Sequence, residues 1–171
     1  MINKYSVLSI DCDWILSLKH QYELFKYLIP VLNKYKTIKF SYNHHDINKY
    51  FNFQNVSTFE SCDIFNVDNH HDAGYEEKRQ TLDEGNWLYH LINAFPNKIN
   101  YTWVANVESE PIGNEPFKSV FNKFIKSYHF TYDLDVLKDK KFDIIFICCS
   151  PEYNNQLGIV SYKILENIYG S

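Results

Sequence analysis

Two kinds of apolar run alternate along this chain. Five are short and nearly continuous, from Ser6 to Ile10, Ile38 to Tyr42, Ile64 to Val67, Tyr101 to Ala105 and Ile144 to Cys149, and they read as buried strands. The others space their apolar residues by three and four, the period of an amphipathic helix. Leu18, Tyr22, Phe25 and Ile29 form one such set, Leu88, Leu91, Ile92 and Phe95 a second, and Phe117, Phe121, Phe124 and Ile125 a third. Strand alternating with helix predicts βαβ units, hence an α/β fold of three-layer α/β/α type with a mostly parallel sheet of five to six strands. Phe130 to Leu134 supplies the sixth strand, at an edge. Pro30 should break or kink the first helix, and Pro151 should open the last connection. With no long repeat, low-complexity tract or linker in between, residues 1–171 are expected to form a single domain.

Composition narrows the class. A chain of 171 residues, 45% of them hydrophobic, can bury a sizeable core, and five Gly with five Pro argue against a disordered or linker-rich chain. The net charge of −4, without a Lys/Arg cluster, offers no electrostatic footprint for nucleic acid or an anionic membrane. The first residues lack the pattern of a signal peptide, and no apolar run reaches the roughly 18 residues of a membrane helix, so a cytoplasmic location is expected. Cys12, Cys62, Cys148 and Cys149 have no zinc-type spacing and lie in or beside apolar runs, which marks them as reduced core residues.

In an open α/β sheet the ligand lies beyond the carboxyl ends of the strands. After the first strand come Asp11 and Asp13, two carboxylates at i and i+2 that would point the same way and repel unless a cation lay between them. After the third come Asp68, His70 and Asp72 with the same spacing, and after the second the pair His44 and His45. The tetrapeptide Asn-His-His-Asp thus occurs twice, each time where a strand gives way to a loop. Asp11, Asp13, Asp68, His70, Asp72 and one of His44 or His45 make six ligands, enough for two divalent ions sharing bridging carboxylates, and the oxygen-rich set favours Mn²⁺. Strand-end Asp and His also cap helices and hold loops, so each motif alone says little. Their coincidence at three strand ends carries the metal expectation.

These segments resemble the ureohydrolases, the arginase and agmatinase family of dimanganese enzymes. Val67-Asp68-Asn69-His70-His71-Asp72 is similar to the family's Asp-Ala-His-x-Asp segment, and Leu8-Ser9-Ile10-Asp11-Cys12-Asp13 to its Ser-Phe-Asp-x-Asp segment. Tyr42-Asn43-His44-His45 keeps only the histidine of its Gly-Gly-Asp-His-Ser segment. The order of the motifs differs, and the chain is too short for the family's eight-stranded sheet. It looks most like the small peptide arginases of ribosomal peptide biosynthesis, to which Gly85-Asn86-Trp87-Leu88-Tyr89-His90 and Ser150-Pro151-Glu152-Tyr153 are also similar. The resemblance implies a reduced arginase-like fold. It also implies that Asp68 and Asp11 bridge two ions, that Asp72 and His44 complete one and His70 and Asp13 the other, with His45 a rival for the place of His44.

The chemistry expected of such a site is hydrolysis of a guanidino group, most simply of arginine within a peptide to ornithine and urea. Two cations lower the pKa of a bridging water, and the hydroxide so formed attacks the guanidinium carbon. Glu108 and Glu152 are candidates to hold the guanidinium, and His71 and His90 to pass a proton to the leaving amine. Short connections between strands predict a shallow site, open to an arginine-bearing peptide or a small guanidino compound such as agmatine. Other readings are a phosphatase of the haloacid dehalogenase type, suggested by Asp11-Cys12-Asp13, a DHH-type phosphoesterase, suggested by Asp68-Asn69-His70-His71, and a metal-binding module without activity. Oligomeric state is not legible.

Overall fold

A computed structural model describes residues 4–51, 59–74, 81–109 and 123–170. Six strands, β1 (Lys4–Asp11), β2 (Lys39–Ser41), β3 (Ser61–Val67), β4 (Ile99–Val104), β5 (Ser127–Thr131) and β6 (Ile144–Cys148), form one sheet in the order β2-β6-β1-β3-β4-β5. Every neighbouring pair is parallel, so the chain is an α/β protein. Among the described residues, three α-helices accompany the sheet: α1 (Leu18–Leu32), α2 (Trp87–Ala94) and α3 (Gln156–Tyr169).

The four inner strands, β1, β3, β4 and β6, are buried along most of their length, whereas the edge strands β2 and β5 have no fully buried residue. Alternate residues feed two separate cores. Val7, Ile64, Tyr101 and Phe146 pack with Trp87, Leu88, Leu91 and Ile92 of α2. Leu8, Phe65 and Ile145 pack with Leu24, Leu28 and Leu32 of α1 and with Tyr162 and Leu165 of α3. All four cysteines are buried and unbridged. No described helix is long and apolar enough to cross a membrane.

Each expected strand is present, with ends shifted by a few residues. The largest shift is in β5, which spans Ser127–Thr131 rather than Phe130 to Leu134. Leu134 instead opens a 3-10 turn, Leu134–Leu137, whose start is fixed by Asp133 accepting from the Asp135 N–H. Pro30 sits in the last turn of α1, and the helix ends two residues beyond it at Leu32. The helical pattern around Phe117 and Phe121 lies outside the described residues. Helix α3 escapes the apolar periodicity because its buried face includes Gly158 and Ser161 beside Tyr162 and Leu165. Asn155 starts it, its side chain accepting from the N–H groups of Leu157 and Gly158.

Register positions the functional end. Ile10 pairs with both Val67 and Ile147, and Asp11 with Cys148, so β1, β3 and β6 finish level with one another at the centre of the sheet. Residues following these three strands therefore meet at one rim. The 3-10 turn after β1, Cys12–Trp14, packs closely against α3, where a methyl group on Gly158 would run into the Cys12 carbonyl oxygen and Asn154 Oδ1. Gly158→Ala should accordingly cost about 1–3 kcal/mol by overpacking. It should lower Tm by several degrees, and also weaken metal binding, because Cys12 joins Asp11 to Asp13. A thermal melt showing wild-type stability would refute this packing argument.

Candidate metal centre

Asp11 is the last residue of β1, Asp13 lies in the turn after it, and Asp68 is the first residue beyond β3. His44 opens a 3-10 turn, His44–Lys49, after β2. The four carboxylates of Asp11, Asp13, Asp68 and Asp72 are each no more than 3% exposed, and His44 is 1% exposed. No Lys or Arg of the described residues forms an ion pair with them. Their cationic partners are two imidazoles.

The geometry falls into two groups that share one residue. His44 Nδ1 faces Asp11 Oδ2 at 3.2 Å, Asp68 Oδ2 at 3.2 Å and Asp72 Oδ2 at 3.0 Å. His70 Nδ1 faces Asp13 Oδ2 at 2.8 Å and Asp68 Oδ1 at 3.9 Å. Asp68 thus turns one oxygen to each group. The sets Asp11, His44, Asp68 and Asp13, Asp68, His70 each bring their ligand atoms close enough to hold a metal ion. Asp72 adds a further carboxylate oxygen to the first set, whereas Asp11 enters only that set, its Oδ1 accepting from the Asp13 N–H at 3.1 Å. One nitrogen facing three carboxylate oxygens satisfies at most one of them, and the remaining negative charge is what a divalent cation would neutralise.

Electrostatics tell the same story. Burial first, then the neighbouring Asp72 carboxylate, pushes Asp68 up to about 7. Burial followed by Asp11 and Asp68 raises Asp13 well above the usual carboxylate range. The hydrogen bond to Asp13 lifts His70 to about 9. For His44, burial opposes the charged form, but Asp72 and the contacts to Asp11 and Asp68 outweigh it and raise the ring well above its ordinary value. In the absence of metal the cluster gathers protons to offset its own charge.

A surrounding shell fixes the carboxylates. Ser9 Oγ contacts His44 Nε2 at 2.7 Å, leaving Nδ1 to face the acids. Asn66 Nδ2 donates to Asp68 Oδ2 and reaches Asp72 Oδ2, and Trp87 Nε1 donates to Asp72 Oδ2 at 2.5 Å. The Asn69 N–H donates to Asp13 Oδ1 and the Ser150 hydroxyl to Asp11 Oδ2. Asp72, with φ of 54°, and Ser150, with φ of 40°, both occupy the left-handed region, which is strained for residues with a Cβ. A cavity of about 230 Å³ opens over the cluster, lined by Asp11, Asp13, His70, Asp72, Glu84, Gly85, Ser150 and Tyr153.

Of the residues singled out from sequence, Asp11, Asp13, His44, Asp68, His70 and Asp72 come together. His45 does not: its ring turns to Asp46, 3.8 Å away. The reason differs from the strand alternation that the sequence suggests, because His44 and His45 sit in a 3-10 turn and 68–72 in a bent loop. Neither proposed proton carrier lines the cavity. His71 is buried edge-on against Trp103, its Nδ1 accepting from the Ala73 N–H, and His90 lines a different cavity beside Asn48 and Leu91. Glu108 is exposed in the turn after β4, and Glu152 is exposed in the turn after β6; neither lines the metal cavity.

Sequence reasoning missed Glu84, whose Oε2 is buried without a hydrogen-bond partner and whose carboxyl is pushed up to about 7, by burial first and then by Asp11. It also missed Ser9 and Asn66. Each lies two residues before a ligand in a strand, hence on the ligand's side of the pleat, and each is polar within an apolar run. That alternation was a usable signal. Comparison of the chain with protein-family models, with curated proteins and with solved structures gave no match. Any function must therefore be argued from the site.

Two outcomes are expected. His44→Ala should remove most of the bound metal while His45→Ala leaves most of it, as read by elemental analysis after dialysis; equal losses would contradict the geometry. The second concerns the metal-free protein. Asp68 and His70 hold protons more tightly folded, at about 7 and about 9, than at their ordinary 3.8 and 6.5. Their contribution to stability is thus present at low pH and lost as pH rises through those intervals. In chelator, Tm should fall from about pH 4 to about pH 9, and added Mn²⁺ should remove that fall. A Tm that climbs with pH in chelator would count against the cluster as described.

Proposed function

We propose that this protein is a dinuclear metal hydrolase that releases urea from a guanidino group, with arginine inside a peptide as its substrate and Mn²⁺ as the preferred ion. The observation that carries the reading is the division of Asp68 between two acid–imidazole groups, one oxygen to each. When bound, two divalent ions would supply Lewis acidity and a water acidic enough to attack at neutral pH. Asp11, His44 and Asp72 would hold one ion, Asp13 and His70 the other, and Asp68 both.

Residues of the chain also suit the substrate. A guanidinium needs a carboxylate partner of matching geometry. Glu84 lines the cavity with an unpartnered oxygen, and burial followed by the nearby Asp11 pushes its carboxyl up to about 7, so an arriving guanidinium would be held there in place of a proton. This role replaces the one given to Glu108 or Glu152 from sequence. Tyr153, stacked edge-on to His70 at 6.0 Å, forms a wall for the methylene stem. Gly85, Ser150 and Tyr153, which line the cavity, belong to the two segments that resemble the peptide arginases.

A cavity of about 230 Å³ has room for an arginine side chain, whether carried by a peptide or by a small guanidino compound, and the short connections between strands favour the peptide. Urea release under Mn²⁺ from free arginine, from agmatine and from a capped arginine peptide tests the reading, with ornithine in the peptide identified by mass spectrometry. The peptide should have the highest kcat/KM. Asp68→Asn should abolish both metal content and turnover, and Glu84→Gln, losing a charge-assisted contact worth about 2 kcal/mol, should raise KM roughly 10- to 100-fold with metal content retained. Hydrolysis of a phosphate ester in place of any guanidino compound would overturn the assignment.

A further inference from the structure

Asp68 divides the cluster, and the two sides are not alike. Its Oδ2 faces His44 Nδ1 at 3.2 Å, and the same nitrogen faces Asp11 Oδ2 at 3.2 Å and Asp72 Oδ2 at 3.0 Å. Its Oδ1 faces His70 Nδ1 at 3.9 Å, and that nitrogen faces Asp13 Oδ2 at 2.8 Å. The first side thus brings three carboxylates and the second two, with Asp68 counted in both. Burial differs as well. The His44 side chain is 1% exposed and packs against Trp87 and Phe146, with ring centroids 5.1 and 6.0 Å away. The His70 side chain is 39% exposed and lines the cavity together with Asp13, whereas neither His44 nor Asp68 does.

We infer that the two sides hold their ions unequally: Asp11, His44, Asp68 and Asp72 retain one ion through gel filtration, while Asp13 and His70 bind the second loosely, so that the supply of free metal decides whether the centre is complete. The inference rests on the dinuclear reading above and concerns its regulation. Three physical arguments carry it. The first side offers more negative charge, in a buried setting where attraction to a cation is screened least. Its ligands are also set in advance, by Ser9 Oγ on His44 Nε2 at 2.7 Å, by Asn66 Nδ2 on Asp68 Oδ2 at 3.2 Å and by the Trp87 indole on Asp72, so little ordering accompanies binding. On the second side, the exposed His70 ring can turn into the cavity and let an ion go, a motion that the packed His44 ring lacks room for. Finally, Asp68 serves both sides. An ion already on its Oδ2 uses up part of its charge and repels the next cation, which weakens the second step further. The half that responds to metal supply is therefore the half that faces the cavity beside Glu84.

Calorimetric titration of the metal-free protein with Mn²⁺ tests this, with the paramagnetic resonance signal of free Mn²⁺ as an independent count of what is bound. Two steps are expected, about 100-fold apart in Kd, and gel filtration of the loaded protein should leave a single ion per chain. His70→Ala should abolish the weak step and keep the tight one. Ser9→Ala should weaken the tight step roughly 10- to 100-fold. Melting temperature checks that each variant folds, and His70→Ala changes a partly exposed side chain. Two steps of equal strength, one ion at saturation, no bound ion, or loss of the tight step in His70→Ala overturns the inference. Urea release followed along the same titration separates the two readings. Two unequal steps with no urea from any guanidino substrate would uphold unequal loading and sink the hydrolase; urea from a protein with two equal steps would do the reverse.

Discussion

Four buried carboxylates share a few ångströms of space with two imidazoles, with no lysine or arginine among the described residues paired to them, and much of the surrounding structure is arranged to tolerate that charge. Like charges in a low-dielectric interior repel strongly. The chain answers with donors: backbone N–H groups of Asp13, Asn69 and His70, the Asn66 amide, the Trp87 indole and the Ser150 hydroxyl each take up a carboxylate oxygen. These bonds orient the acids without neutralising them. A cation held by the cluster would neutralise them, and would stabilise the fold by binding it.

The donors are supplied by elements that also build the core. Trp87 begins α2 and is fully buried among the apolar residues of that face, yet its indole nitrogen reaches Asp72. Trp103 of β4 does likewise, donating to the Asp68 carbonyl at 2.9 Å, and Tyr101 donates to the carbonyl of His71 at 2.9 Å. Large aromatic side chains contribute apolar area along their length and one hydrogen bond at the tip. The aromatic content of 18% therefore has a local meaning: on this face of the sheet, rings span from the core to the site.

Strands with continuous apolar runs were legible in the sequence because burial on both faces leaves no other composition open to them. The ligands were legible because charged residues at strand ends have few structural duties that require period-two spacing. What stayed hidden was set by contacts distant in sequence. Helix α3 packs through Gly158 and Ser161, whose small size serves close approach rather than hydrophobicity. Glu84 reaches the cavity from a turn before α2, where one glutamate among many carries no mark of its destination. His71 shares a dipeptide with a ligand, and only the loop conformation between Asp68 and Asp72 decides that its ring turns to Trp103.

The order of strands has a consequence for how the chain acquires its site. β1 lies between β3 and β6, and the bond from Ser150 to Asp11 joins residues 139 positions apart. As the chain emerges from synthesis, the first strand of the sheet must wait with one hydrogen-bonding edge open until the sixth exists. Closure of that edge also brings the Ser150 hydroxyl onto the Asp11 carboxylate. Any metal held by the cluster would thus be gripped tightly only once the last strand has docked.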